Sequence, residues 1–140
     1  MFSVKQKEIV PAALAVVKDK GKFLLTKRSS KSRFEPGKWG FIGEAMKYGE
    51  QPEETLARGL KEEADLTLKK FELIGAESFI FDSKDKERHA VILIYLCEVE
   101  GKVKLNHESE DFGWFSLAEM EDMELIKGNE KLVSMLKARI

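Results

Sequence analysis

A single cysteine, Cys97, is all the thiol chemistry that the 140 residues contain. It excludes an intrachain disulfide, and its place in the apolar run 91–99 reads as a small core residue rather than a nucleophile. An excess of basic charge is also missing: 24 Lys and Arg stand against 25 Asp and Glu. That balance argues against a nucleic acid polymer as partner, since a phosphate backbone is bound through accumulated positive charge. No apolar run is long enough to cross a membrane. The longest near the start, 11–17, is followed by the charged stretch 18–22 instead of a cleavage site, so a cytoplasmic protein is expected. Repeats, low-complexity tracts and linkers are absent as well. The two histidines, His89 and His107, have no metal-ligand spacing and read as structural or exposed.

What the chain does have is ordinary globular chemistry: 43% hydrophobic and 35% charged residues. This predicts one domain over residues 1–140. Segments 9–17 and 23–25, joined by an Asp- and Gly-containing turn, predict a hairpin. Residues 29–38 form a polar loop, and 39–45 a short strand-like stretch broken by Gly40 and Gly43. From Pro52 to Leu66 the pattern turns helical: Pro52 suits a first turn, Glu53 and Glu54 suit its positive end, and Leu56, Leu60 and Ala64 recur on one face. Gln51 is a weak cap for that helix. Segments 71–81 and 90–99 predict an antiparallel pair around a charged turn at 82–88. A short strand at 112–115, a brief helix at 116–120 and a last helix at 129–140, with Leu132, Leu136 and Ile140 on one face, complete the chain. The expected class is α+β or α/β, a mixed β-sheet sandwiched between helices.

The chemistry concentrates in 43–66. A glycine-containing loop, Gly43 to Gly49, leads into a helix carrying Arg58, Glu62 and Glu63. Arg58 and Glu62 are i, i+4 neighbours, and Glu63 lies about 100° from Glu62. Adjacent carboxylates backed by a guanidinium are hard oxygen ligands suited to Mg2+ or Mn2+, and such ions bridge to phosphate oxygens. Adjacent glutamates alone are more often a solvated helix face laced with ion pairs.

The spacing of the whole segment resembles the signature of the Nudix (MutT-like) family. That signature is Gly, five residues, Glu, seven residues, Arg-Glu, an aliphatic residue, any residue, Glu-Glu, any residue, Gly and an aliphatic residue. Glu50, Arg58, Leu60, Glu62, Glu63 and Leu66 occupy their places without a gap, and the approach from Trp39 to Gly43 and the Gly49-Glu50 pair look like the family's lead-in. Leu24 to Arg28 and Glu110 to Phe115 are similar to its second strand and its late acidic-then-Trp segment, so the likeness spans most of the chain. It implies a Nudix fold and a metal-dependent hydrolase of a nucleoside diphosphate linked to another group. Glu62 and Glu63 would hold metal, Arg58 would orient them and Glu50 would tie the loop to the helix. Gly43 would bring backbone close to metal and substrate, and Arg28 would contact phosphate or simply be solvated.

Three positions depart from the signature. Glu44 stands at its first Gly, Gly59 at the Glu after Arg, and Asp65 at its last Gly. Asp65 tolerates the left-handed conformation that ends a helix. Gly59 removes a carboxylate that the family uses on metal. Either catalysis is weakened, leaving a nucleotide-binding or scaffold protein, or Glu44 reaches into the vacated space. Glu108 and Glu110 offer further ligands or a base, Glu110 being preferred for its spacing to Trp114; both also read as loop acids. Neither the Pro of ADP-ribose hydrolases nor the Tyr of dinucleoside polyphosphate hydrolases occurs beyond the box. Residues 128–132 resemble the start of the MutT C-terminal helix, where an Asn contacts the base, so Asn129 is a base contact or an N-cap. A (deoxy)nucleoside triphosphate pyrophosphohydrolase is the substrate reading this favours, a non-nucleotide diphosphate the further one. Its partner would be a small nucleotide, and a homodimer is left open.

Overall fold

Strand β1, Gln6–Asp19, organises the molecule because its apolar residues feed two faces at once. Ala13, Ala15 and Val17 join one buried cluster and Leu14 and Val16 the other, as the two-residue period of a strand requires. A continuous apolar run is what a strand covered on both sides needs. The structure, a computed structural model, describes residues 6–82 and 85–139.

Both edges of β1 are occupied. Along Gln6–Val17 it pairs in parallel with β6, Lys86–Glu100, and at Ala12–Ala15 it pairs antiparallel with β4, Ile42–Ala45. The expected hairpin with β2, Lys22–Arg28, therefore exists only at its tip, Lys18↔Phe23 and Asp19↔Lys22. The two-residue turn holds Lys20 at φ 52° and Gly21 at φ 78°, the positive values that match the twist of a tight hairpin. Beyond the tip β2 diverges to pair with β3, Trp39–Gly40, and β7, Ser109–Phe115.

Strand β5, Thr67–Asp82, pairs antiparallel with β6 as expected, although it begins at the end of the first helix rather than at residue 71. The sheet order is β3-β2-β1-β6-β5, with β4 on β1 and β7 on β2. The turn expected at 82–88 falls partly on residues 83 and 84, which lie outside the described residues, as does Ile140.

Helix α1, Pro52–Ala64, packs Leu56, Leu60 and Ala64 against the first face of the sheet. Full burial of Leu56 and Leu60 contributes roughly 1.5–3 kcal/mol each. Gln51 makes no side-chain cap, and Glu54 Oε1 instead accepts the Gln51 N–H at 3.1 Å. Asp65 ends the helix at φ 56° and ψ 34°, the left-handed cap that its residue type allows. Helix α3, Asn129–Arg139, covers the opposite face through Leu132 and Leu136, and the short α2, Leu117–Met120, precedes it. The observed class is the expected one: a mixed sheet between helices. Among the described residues no helix is long and apolar enough to cross a membrane.

Candidate active site

Arg58 is the hub of the loop that enters α1. Its Nε and Nη2 donate to the two oxygens of Glu50 at 2.9 and 3.0 Å, and Nη2 also donates to the Ala45 carbonyl at 2.8 Å. Glu50 Oε1 further accepts from Thr55 Oγ1 at 2.6 Å and from the Lys47 N–H at 3.1 Å. The Arg58 bonds, then those from Thr55 and Lys47, hold the Glu50 carboxyl down at about 2. The same pairing raises the Arg58 guanidinium. Glu50 and Arg58 thus pin the Gly43–Gly49 loop to the helix.

The two glutamates at the helix end part company. Glu62 stays at the surface, its side chain half exposed, with Oε2 3.4 Å from Arg58 Nη1. Glu63 turns inward, and its Oε2 has neither solvent nor a hydrogen-bond partner. Burial, then the negative charges of Glu108 and Glu44 and a hydrogen bond shared with Glu108, push its carboxyl up to about 9; Arg28 pulls the other way. Glu44, on β4, is raised too, first by burial and then by Glu108 and Glu62, against the lowering effect of Arg58.

Glu63 lies in the wall of a cavity of about 180 Å³ that Arg28, Gly43, Glu108 and Asn129 also line. A Cβ at Gly43 would meet only Leu14 and Ala13 at ordinary contact distances, so its protein neighbours do not demand a glycine. Asn129 is not an N-cap. It is buried, and its Oδ1 accepts the Phe41 N–H at 3.1 Å, joining α3 to the β3–β4 link. Arg28 Nε donates to the Phe34 carbonyl at 2.8 Å, Nη2 donates to Ser32 Oγ at 2.7 Å, and the guanidinium sits 5.7 Å from the Phe34 ring.

The aromatic walls were not foreseen in the sequence. Phe34, Phe79 and Phe81 line the cavity, with the Phe34 and Phe81 rings 5.5 Å apart. The available signal was Phe34 itself, an aromatic in a polar loop. Glu110, preferred from spacing, is exposed on β7 and is not part of the lining, whereas Glu108 is. The pairing steps from Lys27↔Asp111 to Arg28↔Ser109, so Glu110 is the bulged residue that one partner skips. A larger cleft of about 670 Å³ is lined by Lys18 of β1, Cys97 of β6 and Trp114 of β7 among others. It includes none of the carboxylates above, and burial pushes the Cys97 thiol up to about 12, which leaves it inert. Glu63 and Glu108 line only the smaller of the two.

The donor set fits a hard divalent cation. It is all oxygen, it carries more carboxylate than cationic charge, and it has one enclosed carboxyl oxygen with nothing to bond. Among the described residues no three acidic, His or Cys side chains already stand close enough to hold a metal. Glu62 and Glu44 lean instead on Arg58.

Comparison with known proteins bears on family and fold. The profile of the NUDIX domain matches residues 8–136. The nucleoside triphosphatase NudI of Escherichia coli O139:H28 is 28% identical over 108 residues, covering 71% of this chain and 76% of its own. The MutT protein of Methanosarcina mazei Go1 superposes with a TM-score of 0.76 at 25% identity, covering 95% of this chain and 96% of its own. A MutT Nudix hydrolase of Burkholderia pseudomallei, 23% identical with a TM-score of 0.75, covers 90% and 95% and shares the fold.

Proposed function

The chain belongs to the Nudix family, whose hydrolases act on pyrophosphate bonds, and from that premise we propose that it is a metal-dependent (deoxy)nucleoside triphosphate pyrophosphohydrolase. The observation that carries the reading is one cavity joining the enclosed Glu63 carboxyl to aromatic walls and a buried amide. Phe34, Phe79 and Phe81 offer flat apolar faces to a nucleobase. With its Oδ1 bonded to the Phe41 N–H, Asn129 keeps its amide N–H groups for the edge of that base. The name of the relative NudI, a nucleoside triphosphatase, supports the same substrate class.

Bound Mg2+ or Mn2+ would supply charge neutralisation on the phosphates and a more acidic water. Glu63 and Glu62 would hold it, with the Gly43 backbone beside them. Arg58 keeps Glu62 and the loop in place through its bonds to Glu50 and Ala45. Glu108, which lines the same cavity as Glu63, would take a proton from the attacking water. Water adds to a phosphorus and the phosphoanhydride P–O bond breaks. A nucleoside monophosphate and pyrophosphate are released.

The test is a panel of canonical and oxidised nucleoside triphosphates, ADP-ribose, dinucleoside polyphosphates and non-nucleotide diphosphates, assayed with Mg2+ and with Mn2+. Monophosphate and pyrophosphate from a triphosphate are the expected products. Turnover of a non-nucleotide diphosphate alone would overturn the reading.

A further inference from the structure

Gly59 stands in the middle of α1 on its buried face, where glycine costs about 1 kcal/mol relative to alanine. The space beside it is filled from another element. A Cβ on residue 59 would lie 2.8 Å from Glu44 Cβ, 3.5 Å from Glu44 Cγ and 3.7 Å from Glu63 Oε2. Real Cβ atoms do not approach another carbon that closely, and a Cβ on a strand cannot swing aside as the end of a long side chain can. Positions 44 and 59 therefore share one volume, which takes a side chain from the strand or from the helix but not from both.

We propose that Glu44 is the metal-binding carboxylate that this chain supplies from β4 across Gly59, in place of one carried by the helix. The inference rests on the metal-dependent reading above and specifies one of its ligands. Two observations point to it. The first is proximity: the space over Gly59 is bordered by Glu44 Cβ and Cγ on one side and on the other by Glu63 Oε2, the oxygen with no bonding partner. The second is charge. Arg58 is already satisfied by Glu50 through two bonds, and its contact with Glu44 is longer, at 3.4 Å. Glu44 thus adds a further carboxylate beside Glu62 and Glu63 that Arg58 does not need. A side chain serving only to pack against Gly59 would not need that charge.

The exchange makes an unusual prediction for the obvious repair. Gly59→Glu restores the residue that the family resemblance leads one to expect, yet it forces two side chains into one volume. Manganese binding by calorimetry and unfolding midpoints should be measured on the wild type, Glu44→Gln, Gly59→Glu and the double variant Glu44→Gly/Gly59→Glu. Glu44→Gln keeps the shape and removes the charge, and should weaken Mn2+ binding by about tenfold or more. Gly59→Glu should lower the unfolding midpoint without tightening Mn2+ binding, and the double variant should recover both properties. Wild-type Mn2+ affinity in Glu44→Gln would overturn the proposal. So would no Mn2+ binding in the wild type, or tighter binding in a stable Gly59→Glu. If Gly59→Glu does not fold, Glu44→Gln decides alone. None of these readouts involves a nucleotide, so a protein that binds Mn2+ through Glu44 and hydrolyses no triphosphate would refute the proposed substrate and leave this inference standing.

Discussion

Glu63 should make the metal-free protein less stable as pH rises, and a variant without its charge should escape the loss. Burial and the nearby Glu108 and Glu44 charges hold its carboxyl at about 9, against an ordinary value of 4.5. With the folded value above the unfolded one, the folded state binds the extra proton. The stabilisation is complete below about pH 4.5 and is lost as pH rises through about 9. Between pH 4.5 and 7 the loss accumulates to about 3 kcal/mol at 1.36 kcal/mol per pH unit. That figure is a ceiling, because a water or a shift of Glu108 would relieve part of it. Urea unfolding in EDTA at pH 5, 7 and 9 measures it on the wild type and Glu63→Gln. The variant should track the wild type at pH 5 and exceed it progressively above that. Magnesium should restore the wild type at pH 9 and leave Glu63→Gln unchanged. Metal uptake by the wild type at pH 7 should release a proton, visible as a buffer-dependent heat. Parallel stability profiles from pH 5 to 9 would refute the reasoning.

Other substitutions probe the parts around that carboxyl. Glu50 has a depressed carboxyl, so its stabilisation is present above about pH 4.5 and fades as pH falls toward about 2; Glu50→Gln should flatten that acid limb in a pH-jump unfolding series. Asn129→Ala strands the buried Phe41 N–H and should cost about 1–3 kcal/mol in chemical unfolding. It should also raise KM for nucleotides more than for inorganic triphosphate. Arg28→Lys keeps the charge and loses the fork that holds Ser32 and the Phe34 carbonyl. If Arg28 acts by setting the aromatic wall, KM should rise for nucleotides alone and Phe34→Ala should add little to it; a uniform rise for every phosphate substrate would assign Arg28 to phosphate instead. At Gly128, φ is 93° and an added Cβ would meet the Phe79 ring at 2.6 Å. Gly128→Ala should therefore lower the unfolding midpoint and weaken nucleotide binding together.

Local pattern carried α1 almost to the residue. Pro52 at its first turn, the Leu56–Leu60–Ala64 stripe and an Asp able to adopt φ 56° all act within the helix itself. The parallel pairing of β1 with β6 had no such local signature, since it joins segments some eighty residues apart. Nor could the chain announce that β2 must leave β1, because that follows from β4 and β6 having taken both edges. The different settings of Glu108 and Glu110 were hidden for a related reason. Glu108 lies in the turn before β7, and the irregular step opposite Arg28 leaves Glu110 without a partner in the pairing.

Glu44 and Gly59 show the limit most clearly. Read along the chain, they are two departures from a signature, fifteen positions apart, one adding a charge and one removing it, and Glu44 reaching into the space Gly59 vacates is only one of two readings left open. Nothing in their spacing says that they touch. A hypothetical Cβ at Gly59 falling 2.8 Å from Glu44 Cβ makes them one feature with a single steric condition. That condition reverses the natural inference. A missing helical glutamate suggests a weakened site, but a site that lost its carboxylate by drift would have no reason to fill the same volume with another one. If the shared volume is what couples the two positions, their substitutions must be strongly non-additive. Glu44→Gly and Gly59→Glu should each be worse alone than together, in Mn2+ affinity as in stability. Additive effects in the cycle that Glu44→Gly completes would mean that Glu44 and Gly59 are neighbours by accident.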